Sequence, residues 1–171
     1  MITFSSEQKK FARKDLDETS MMAEKYFGME KDPNQIPATK ENRNWIYKNL
    51  SNYVNIIKNN DKIIGFVFVI PCDLRLMKKF VDGKINESEL FENVKKIELK
   101  NPKAIYLCSA FVNEKFRGKN LATSAMIKTI KNVTSNGRNK PVLFYWKYSS
   151  DGEKLSKKIS NLTGLDLVAR K

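Results

Sequence analysis

The sequence "EKFRGKNLATSAM", residues 114–126, decides which fold this chain can adopt. It follows the continuous apolar run "AIYLCSAFV" (104–112) and leads into "LATSAMIKTIKNV" (121–133), whose apolar residues recur with helical spacing. A strand that turns sharply into a helix leaves the first amide groups of that helix without intrahelical partners. These amides and the positive end of the helix dipole predict a binding site for a phosphate or diphosphate at this corner.

The residue types at the corner favour such an anion. Gly118 has no side chain and Ala122 has a small one, so a ligand can approach the backbone closely. Arg117 and Lys119 add positive charge. The stretch has neither the GxxxxGK[ST] pattern of a P-loop nor the GxGxxG turn of a dinucleotide-binding fold. The alternative interpretation is a strand-to-helix turn that merely has a basic rim.

Two helices and a hairpin precede this region. Ser5 or Ser6 is expected to cap a first helix that ends at Gly28, and Thr39 is expected to cap a second helix. The stretch "YVNIIKNNDKIIGFVFVIP" (53–71) predicts two strands joined by a tight turn at Asn59, Asn60 and Asp61, because asparagine and aspartate tolerate the positive φ that such turns require.

The remaining elements follow in alternation. Gly83 is expected to end a short helix, and the spacing of Asn86 and Glu89 predicts a capping box at the start of another. After the central strand and helix come a strand at 141–148, a helix at 152–164 and a short strand at 165–170. The order α, α, β, β, helical insert, β, α, β, α, β predicts an α/β fold with a mixed sheet flanked by helices.

Length and composition predict a single domain over residues 1–171, because a chain of 171 residues with 41% hydrophobic content can form one full core. No apolar stretch is long enough to cross a bilayer, and we expect a soluble, cytoplasmic protein, either a monomer or a homodimer. Cys72 and Cys108 fit neither a disulfide framework nor a zinc pattern. Histidine, the commonest metal ligand, is absent from the sequence, so we expect no metal site.

The formal net charge of +13 makes a polyanion a candidate partner. The lysines are spread along the whole chain, however, and neither the RNP aromatic pattern nor a zinc-finger spacing is present. A solvated lysine coat is therefore favoured over a dedicated nucleic-acid surface.

The stretch "VNEKFRGKNLATSAM" (112–126) resembles the acetyl-CoA signature of the GCN5-related N-acetyltransferase (GNAT) family. That signature is Arg or Gln, two residues, Gly, one residue, then Gly or Ala. Arg117 fills its first position, Asn120 replaces the middle glycine, and Ala122 closes it. Asparagine is the replacement that best tolerates a left-handed backbone. The similarity extends from about Tyr53 to the carboxyl terminus and implies a GNAT fold with a mostly antiparallel sheet.

The resemblance also implies acetyl-CoA as the acyl donor and divides the chain into four parts. These are the amino-terminal helices (1–52), the hairpin (53–71), the helical insert (72–103) and the half that binds acetyl-CoA (104–171). Backbone groups of Val112 and Phe111 would bind the pantetheine arm, and the Thr123 side chain would reach a phosphate oxygen. The implied coenzyme-binding residues are Phe111, Val112, Arg117, Gly118, Lys119, Asn120, Leu121, Ala122 and Thr123.

The sequence departs from the family where catalytic groups are expected. A carboxylate often found on the strand before the signature would fall near Cys108 or Ser109, and neither is acidic. On the final helix, Glu153 and Ser160 stand where the family usually has an asparagine and a tyrosine acid. Tyr148 is the nearest phenol that can replace that acid, although a strand-end aromatic at the surface is the simpler interpretation of it.

The resemblance implies direct transfer of an acetyl group from acetyl-CoA to a primary amine of a small molecule or protein, in a ternary complex. A backbone donor at Val112 would bind the oxyanion and a water chain would serve as base. Two alternatives stay open: a domain that binds coenzyme A without catalysis, and a basic nucleic-acid-binding module.

The acceptor side of the site is expected between the amino-terminal helices and the insert at 73–101, which is longer than a simple strand connection needs. Acidic residues there can attract a cationic amine, but helix capping or a solvated helix face explains each of them better. They are Asp73, Glu87, Glu89, Glu92 and Glu98. The sequence does not specify the acceptor.

Overall fold

A sheet flanked by helices forms the body of the computed structural model, which describes residues 1–8, 11–28, 32–134 and 140–171. Its strands are β1 (Ile2–Phe4), β2 (Val54–Asn59), β3 (Lys62–Cys72), β4 (Ala104–Val112), β5 (Val142–Trp146) and β6 (Leu167–Arg170). Its helices are α1 (Arg13–Phe27), α2 (Lys40–Asn49), α3 (Leu74–Val81), α4 (Glu87–Val94), α5 (Leu121–Thr134) and α6 (Ser150–Thr163). Within these described ranges, none of the helices combines the length and the hydropathy that crossing a bilayer requires.

The six described strands are arranged in chain order, β1 to β6. Strands β1 to β4 pair antiparallel, whereas β4 pairs parallel to β5 and β5 parallel to β6. Strands β4 and β5 pair only where Ala104–Tyr106 faces Val142–Phe144. Beyond that register both strands continue without pairing to each other, which opens a gap in the sheet. The predicted mixed and mostly antiparallel sheet is confirmed.

Local sequence signals place most element boundaries. Asn60 and Asp61 have positive φ values of 47° and 66°, as predicted for the tight turn between β2 and β3. The Thr39 hydroxyl accepts a hydrogen bond from the Asn42 amide and caps α2. The capping box of Asn86 and Glu89 at the start of α4 is also confirmed.

The start of the first helix was predicted wrongly. Helix α1 begins at Arg13, after Ala12, which provides no side-chain cap. The hydroxyl of Ser5 instead accepts a hydrogen bond from the Ile56 amide at 2.8 Å, and residues Ile2–Phe4 form an edge strand beside β2. Three strand residues are too few to give a periodic signal. The hydroxyl of Ser5, which resembles a helix cap in the sequence, instead binds the backbone of β2.

The insert between β3 and β4 contributes to the main core. Phe80 on α3 is fully buried, with its ring 4.9 Å from that of Tyr106 and 5.9 Å from that of Phe144. On α4, Leu90 and Phe91 are also fully buried. The insert therefore covers one face of the sheet as well as lying near the expected acceptor side.

Candidate functional site

A cavity of about 370 Å³ lies where β4 and β5 separate. Its walls are the second half of β4, the inner side of α1, the segment before α2, and the turn that connects β5 to α6. Glu87 on α4 and Tyr106 on β4 lie at its inner end, and Arg117 and Ala122 lie at the end near α5. Volumes of this size are typical of small-molecule binding sites.

The turn before α5 has the geometry of an anion site. A short helical turn, Glu114–Phe116, follows β4, and Gly118 and Asn120 then adopt left-handed conformations with φ of 77° and 57°. The left-handed conformation expected for Asn120 is confirmed. The Ser124 amide donates to the Asn120 carbonyl at 2.9 Å, so the amides of residues 121–123 come before the first hydrogen bond of the helix. These three amides lie at the positive end of α5.

The two basic residues of the turn point in different directions. The guanidinium of Arg117 folds back onto β4, where its Nε donates to the Val112 carbonyl at 2.9 Å and its Cζ lies 5.7 Å from the Tyr26 ring centroid. The Lys119 ammonium lies 5.4 Å from the Phe116 ring centroid. Arg117 therefore lines the cavity, whereas Lys119 stays at the outer side of the turn.

Lys158 is a basic residue at this turn that the sequence analysis missed. It lies on the exposed side of α6, and its Nζ donates to Asn120 Oδ1 at 2.8 Å. The contact depends on the packing of α6 against α5, which joins residues 38 positions apart. No local pattern carries that information.

The backbone of Val112 faces the gap between β4 and β5. In an antiparallel ladder the backbone groups of successive residues point to opposite edges. The Asn113 amide donates to Ile64 on β3 at 2.8 Å, so the Val112 amide and carbonyl point the other way, toward the gap. The backbone of Phe111 faces β3, and its ring packs against Tyr26.

The first residues of α5 divide between the cavity and the protein interior. Ala122 and Met126 line the cavity, one turn apart on the same helix face. Thr123 is buried and does not line the cavity, and neither does Leu121. The hydroxyl of Thr123 thus lies away from the cavity, while its amide remains at the helix end.

Glu87 is the buried acidic residue of the cavity, with 7% of its surface exposed. Its Oε1 accepts hydrogen bonds from the Tyr106 hydroxyl at 2.7 Å and from the Cys108 thiol at 3.7 Å. Its Oε2 accepts from the Ile36 amide at 3.2 Å. Burial raises the pKa of Glu87 above its usual value, although the hydrogen bonds from Tyr106 and Ile36 oppose this shift.

The expectation that capping or solvation explains Glu87 is wrong, because the carboxylate is enclosed and bonded across to β4. A signal for this was present in the sequence. Glu87 precedes Leu90, Phe91 and Val94 by three, four and seven residues, so it lies on the same helix face as the buried stripe of α4. A carboxylate on an apolar stripe is expected to point inward.

The other acidic residues of the insert have the structural roles that were expected. The Asp73 carboxylate accepts a hydrogen bond from the Leu76 amide and caps α3. Glu89 completes its capping box, Glu92 pairs with Lys95 at 2.6 Å, and Glu98 is exposed to solvent.

Tyr148 lies two residues beyond β5, at the rim of the cavity. Its side chain is 58% exposed, and its hydroxyl is 3.5 Å from Gln35 Nε2. Its ring makes an edge contact with Trp146 at 5.3 Å between centroids. The phenol therefore reaches both solvent and the cavity.

The residues at the other expected catalytic positions are engaged elsewhere. The Ser160 hydroxyl donates to the Leu165 carbonyl at 2.6 Å, and Glu153 pairs with Lys147 and Lys157. Cys108 and Ser109 do line the cavity. Burial, together with the nearby Glu87 carboxylate, raises the pKa of Cys108 well above its usual value, so this residue remains a thiol.

Solved acetyltransferases share this fold. No family model matches the sequence, and a search of curated proteins finds no match. A polyamine N-acetyltransferase of Drosophila melanogaster superposes with a TM-score of 0.57 at 10% identity, over 94% of this chain and 82% of that chain. A ribosomal-protein-alanine N-acetyltransferase of Brucella melitensis biovar Abortus 2308 gives a TM-score of 0.53 at 15% identity, over 93% and 90%.

A third structure, an aminoglycoside acetyltransferase from an uncultured soil metagenomic sample, gives a TM-score of 0.52 at 16% identity, over 93% of this chain and 86% of that chain. These likenesses establish the class of structure: the chain has the same mixed α/β fold as these acetyltransferases. The fold predicted from the signature around Arg117 is thereby confirmed.

Proposed function

We propose that this chain is an N-acetyltransferase that transfers the acetyl group of acetyl-CoA directly to a primary amine of a small molecule or protein. The observation that carries the proposal is the gap between β4 and β5, which joins the anion-binding geometry before α5 to a cavity with a buried carboxylate. A long thioester carrier and an amine can meet in such a gap from opposite ends.

In this proposal the amides of residues 121–123 bind the coenzyme diphosphate, and Lys119 and Lys158 neutralise its charge. The Val112 amide, which faces the gap, binds the pantetheine arm and then the oxyanion. Arg117 keeps its bond to the Val112 carbonyl and forms the wall beside the ligand. The coenzyme-binding segments are thus the end of β4, where Val112 provides backbone groups and Phe111 only its side chain, and the turn at 117–123.

Coenzyme binding tests the proposal first. Acetyl-CoA and desulfo-CoA should both raise the melting temperature, because a ligand that binds only the folded state stabilises it by about 2.7 kcal/mol at a hundred times its Kd. Release of free thiol in the presence of amines then tests catalysis. Binding without thiol release would favour the alternative, a coenzyme-binding domain without activity, which the engagement of Ser160 and Glu153 in other contacts supports.

Replacement of Lys158 by alanine is expected to weaken acetyl-CoA binding about five- to tenfold, the effect of losing one charged contact to a phosphate. Lys157 is the matched control, because it is the neighbouring residue of α6 and pairs with Glu153 instead of approaching Asn120. Titration calorimetry measures both variants. Equal affinities for K157A and K158A would contradict the placement of the diphosphate.

We also propose Tyr148 as the acid that protonates the leaving thiolate, because its hydroxyl stands at the cavity rim. The variant Tyr148→Phe should lower kcat about tenfold or more, since general acids contribute at least that much, while the Kd for acetyl-CoA stays constant. Steady-state kinetics with acetyl-CoA and a saturating amine measure this. An unchanged kcat would leave Tyr148 as a strand-end aromatic at the surface.

A further inference from the structure

The carboxylate of Glu87 is almost entirely shielded from solvent. It is more than nine-tenths buried, and in the described part of the chain no lysine or arginine forms an ion pair with it. An ionised carboxylate out of water is costly unless a cation or enough hydrogen bonds stabilise it. A cationic ligand that enters the cavity from the gap would supply the missing charge.

The hydrogen bonds around Glu87 leave room for one more donor. An ionised carboxylate offers about four acceptor positions, and Tyr106, Cys108 and the Ile36 amide use three of them. Because Glu87 also lines the cavity, the remaining position is available to a donor inside it. An ammonium group fits this position in both charge and hydrogen-bonding capacity.

The carboxylate of Glu87 takes the place of the acidic residue that the family often has on this strand and that is missing from β4 here. The resemblance to the family places a carboxylate near Cys108 or Ser109, and this chain has none there. Glu87 reaches across from α4 to within 3.7 Å of the Cys108 sulfur. The acidic group therefore occupies the same part of the cavity but is attached to the insert.

We propose that Glu87 binds the ammonium of the acceptor and removes its proton, and that the acceptor is a primary amine at the end of an unbranched carbon chain. This inference rests on the proposed acetyltransferase function. The restriction to unbranched amines follows from the small exposed fraction of Glu87, 7%, because Ile36, Tyr106 and Cys108 already contact the carboxylate. A slender group can reach the accessible edge of the carboxylate, whereas a branch beside the nitrogen widens the group that must reach it.

The proposed reaction begins with proton transfer from the bound ammonium to Glu87. One N–H bond of the ammonium breaks and its proton moves to a Glu87 oxygen. The freed nitrogen lone pair forms the C–N bond at the thioester carbonyl carbon, and the C–S bond breaks with its electron pair going to sulfur. The Tyr148 hydroxyl protonates the thiolate to give free coenzyme A, the second proton that leaves nitrogen restores the Tyr148 hydroxyl, and Glu87 releases its proton to solvent.

The charges and pKa values of the neighbouring groups favour Glu87 as a general base. Tyr106 and Cys108 on β4 both stay neutral, because burial raises the pKa of each well above its usual value. Asp32, in the segment before α2, acts through its negative charge to raise the pKa of Glu87. Arg170 on β6 opposes the rise in the pKa of Tyr106 through its positive charge. The carboxylate is thus a stronger base than one in water, and its neighbours supply no competing charge change near neutral pH.

The test compares Glu87→Gln with Glu92→Gln. Glu92 is the control because it lies on the exposed side of the same helix and pairs with Lys95. The substrates are acetyl-CoA with n-butylamine, putrescine or the branched sec-butylamine. We expect E87Q to lower kcat/KM for the unbranched amines about a hundredfold, within the range for a general base, and to leave the Kd for acetyl-CoA unchanged. E92Q should behave as wild type, and sec-butylamine should be a poor substrate for all three proteins.

The pH profile separates a catalytic from a structural role. In wild type, kcat/KM should rise with pH through the raised pKa of Glu87, and E87Q should lack this rise. Tyr106→Phe removes a hydrogen bond that lowers the pKa of Glu87, so the rise should move to higher pH. This second variant decides the matter if E87Q does not fold: an unmoved profile in Y106F overturns the proposal.

Other outcomes are equally decisive. If wild type binds acetyl-CoA and acetylates amines while E87Q keeps its full rate and profile, Glu87 is not the base but the transferase function stands. Equal rates for sec-butylamine and n-butylamine would overturn the acceptor class. Failure of the wild-type protein to bind acetyl-CoA would overturn the proposed function and, with it, this inference.

Discussion

Replacing Phe80 by alanine is expected to lower the free energy of unfolding by about 3–5 kcal/mol, the usual cost of removing a buried phenylalanine ring. Phe80 is fully buried, and its ring packs against Tyr106 and Phe144. The Arg170 guanidinium lies 4.4 Å from the centroid of the ring and loses this contact as well. Urea denaturation measures the change, and an unchanged m-value would show that the unfolded state is unaffected.

Leu74→Ala is the matched control because Leu74 begins the same helix and is 49% exposed. The L74A substitution should lower the free energy of unfolding by less than about 0.5 kcal/mol, as surface substitutions usually do. A loss of less than about 1 kcal/mol for F80A, well below the range for buried aromatic residues, would show that the insert does not share the main core. Because Tyr106 touches both Phe80 and Glu87, F80A should also lower the rate of the acetyl transfer that we propose.

Local chemistry explains why much of this fold could be predicted. The apolar run of β4 is predicted and observed at residues 104–112, and α5 begins at Leu121 as predicted. A side-chain cap or a left-handed turn residue determines the backbone only within about four residues of its own position. The helix starts at Thr39 and Asn86 and the turn at Asn120 can therefore be predicted from the local sequence.

The acceptor side of the candidate site could not be predicted in the same way. Glu87 contacts Ile36 and Tyr106, which are 51 and 19 residues away, and Lys158 contacts Asn120 across 38 residues. These contacts exist only after the insert packs on β4 and α6 packs on α5. Sequence periodicity shows that Glu87 shares a face with the buried stripe of α4, but the partner of that face is set by tertiary structure.

The missing carboxylate on β4 has a physical explanation, because another element of this chain supplies one to the same cavity. A catalytic carboxylate needs a certain position and environment, and any element that reaches that position can supply it. In this chain the strand offers Cys108, whose thiol donates a hydrogen bond to Glu87. An acidic residue missing from one strand is therefore weak evidence against catalysis when an insert packs over the same cavity.

Replacing Gly65 by alanine is expected to destabilise the protein by about 3 kcal/mol, the upper end of the usual cost of overpacking. A Cβ atom at this position would lie 2.5 Å from the Phe111 carbonyl oxygen and 3.2 Å from the Val112 Cα. Both are backbone atoms of β4, so no side-chain rotation relieves the contact. The strands must separate or shift, and hydrogen bonds of the ladder are lost or lengthened.

Gly83→Ala is the control for the loss of a glycine. Gly83 has a φ of 74° and no atom within 4 Å of an added Cβ, so the cost is only that of a left-handed alanine, about 1–2 kcal/mol. In urea denaturation, G65A should lose more free energy of unfolding than G83A. The two variants should also differ in acetyl-CoA affinity, because Gly65 is paired with Val112 in the ladder and Gly83 lies at the end of α3.

A shift of β4 at Phe111 moves the Val112 amide that we propose as the pantetheine and oxyanion donor. G65A should therefore weaken acetyl-CoA binding and lower kcat in the fraction of protein that remains folded, whereas G83A should alter neither. If G65A retained wild-type stability, the close approach of β3 and β4 would be wrong. If it lost stability but kept wild-type kinetics, the fold would stand and the role of Val112 would not.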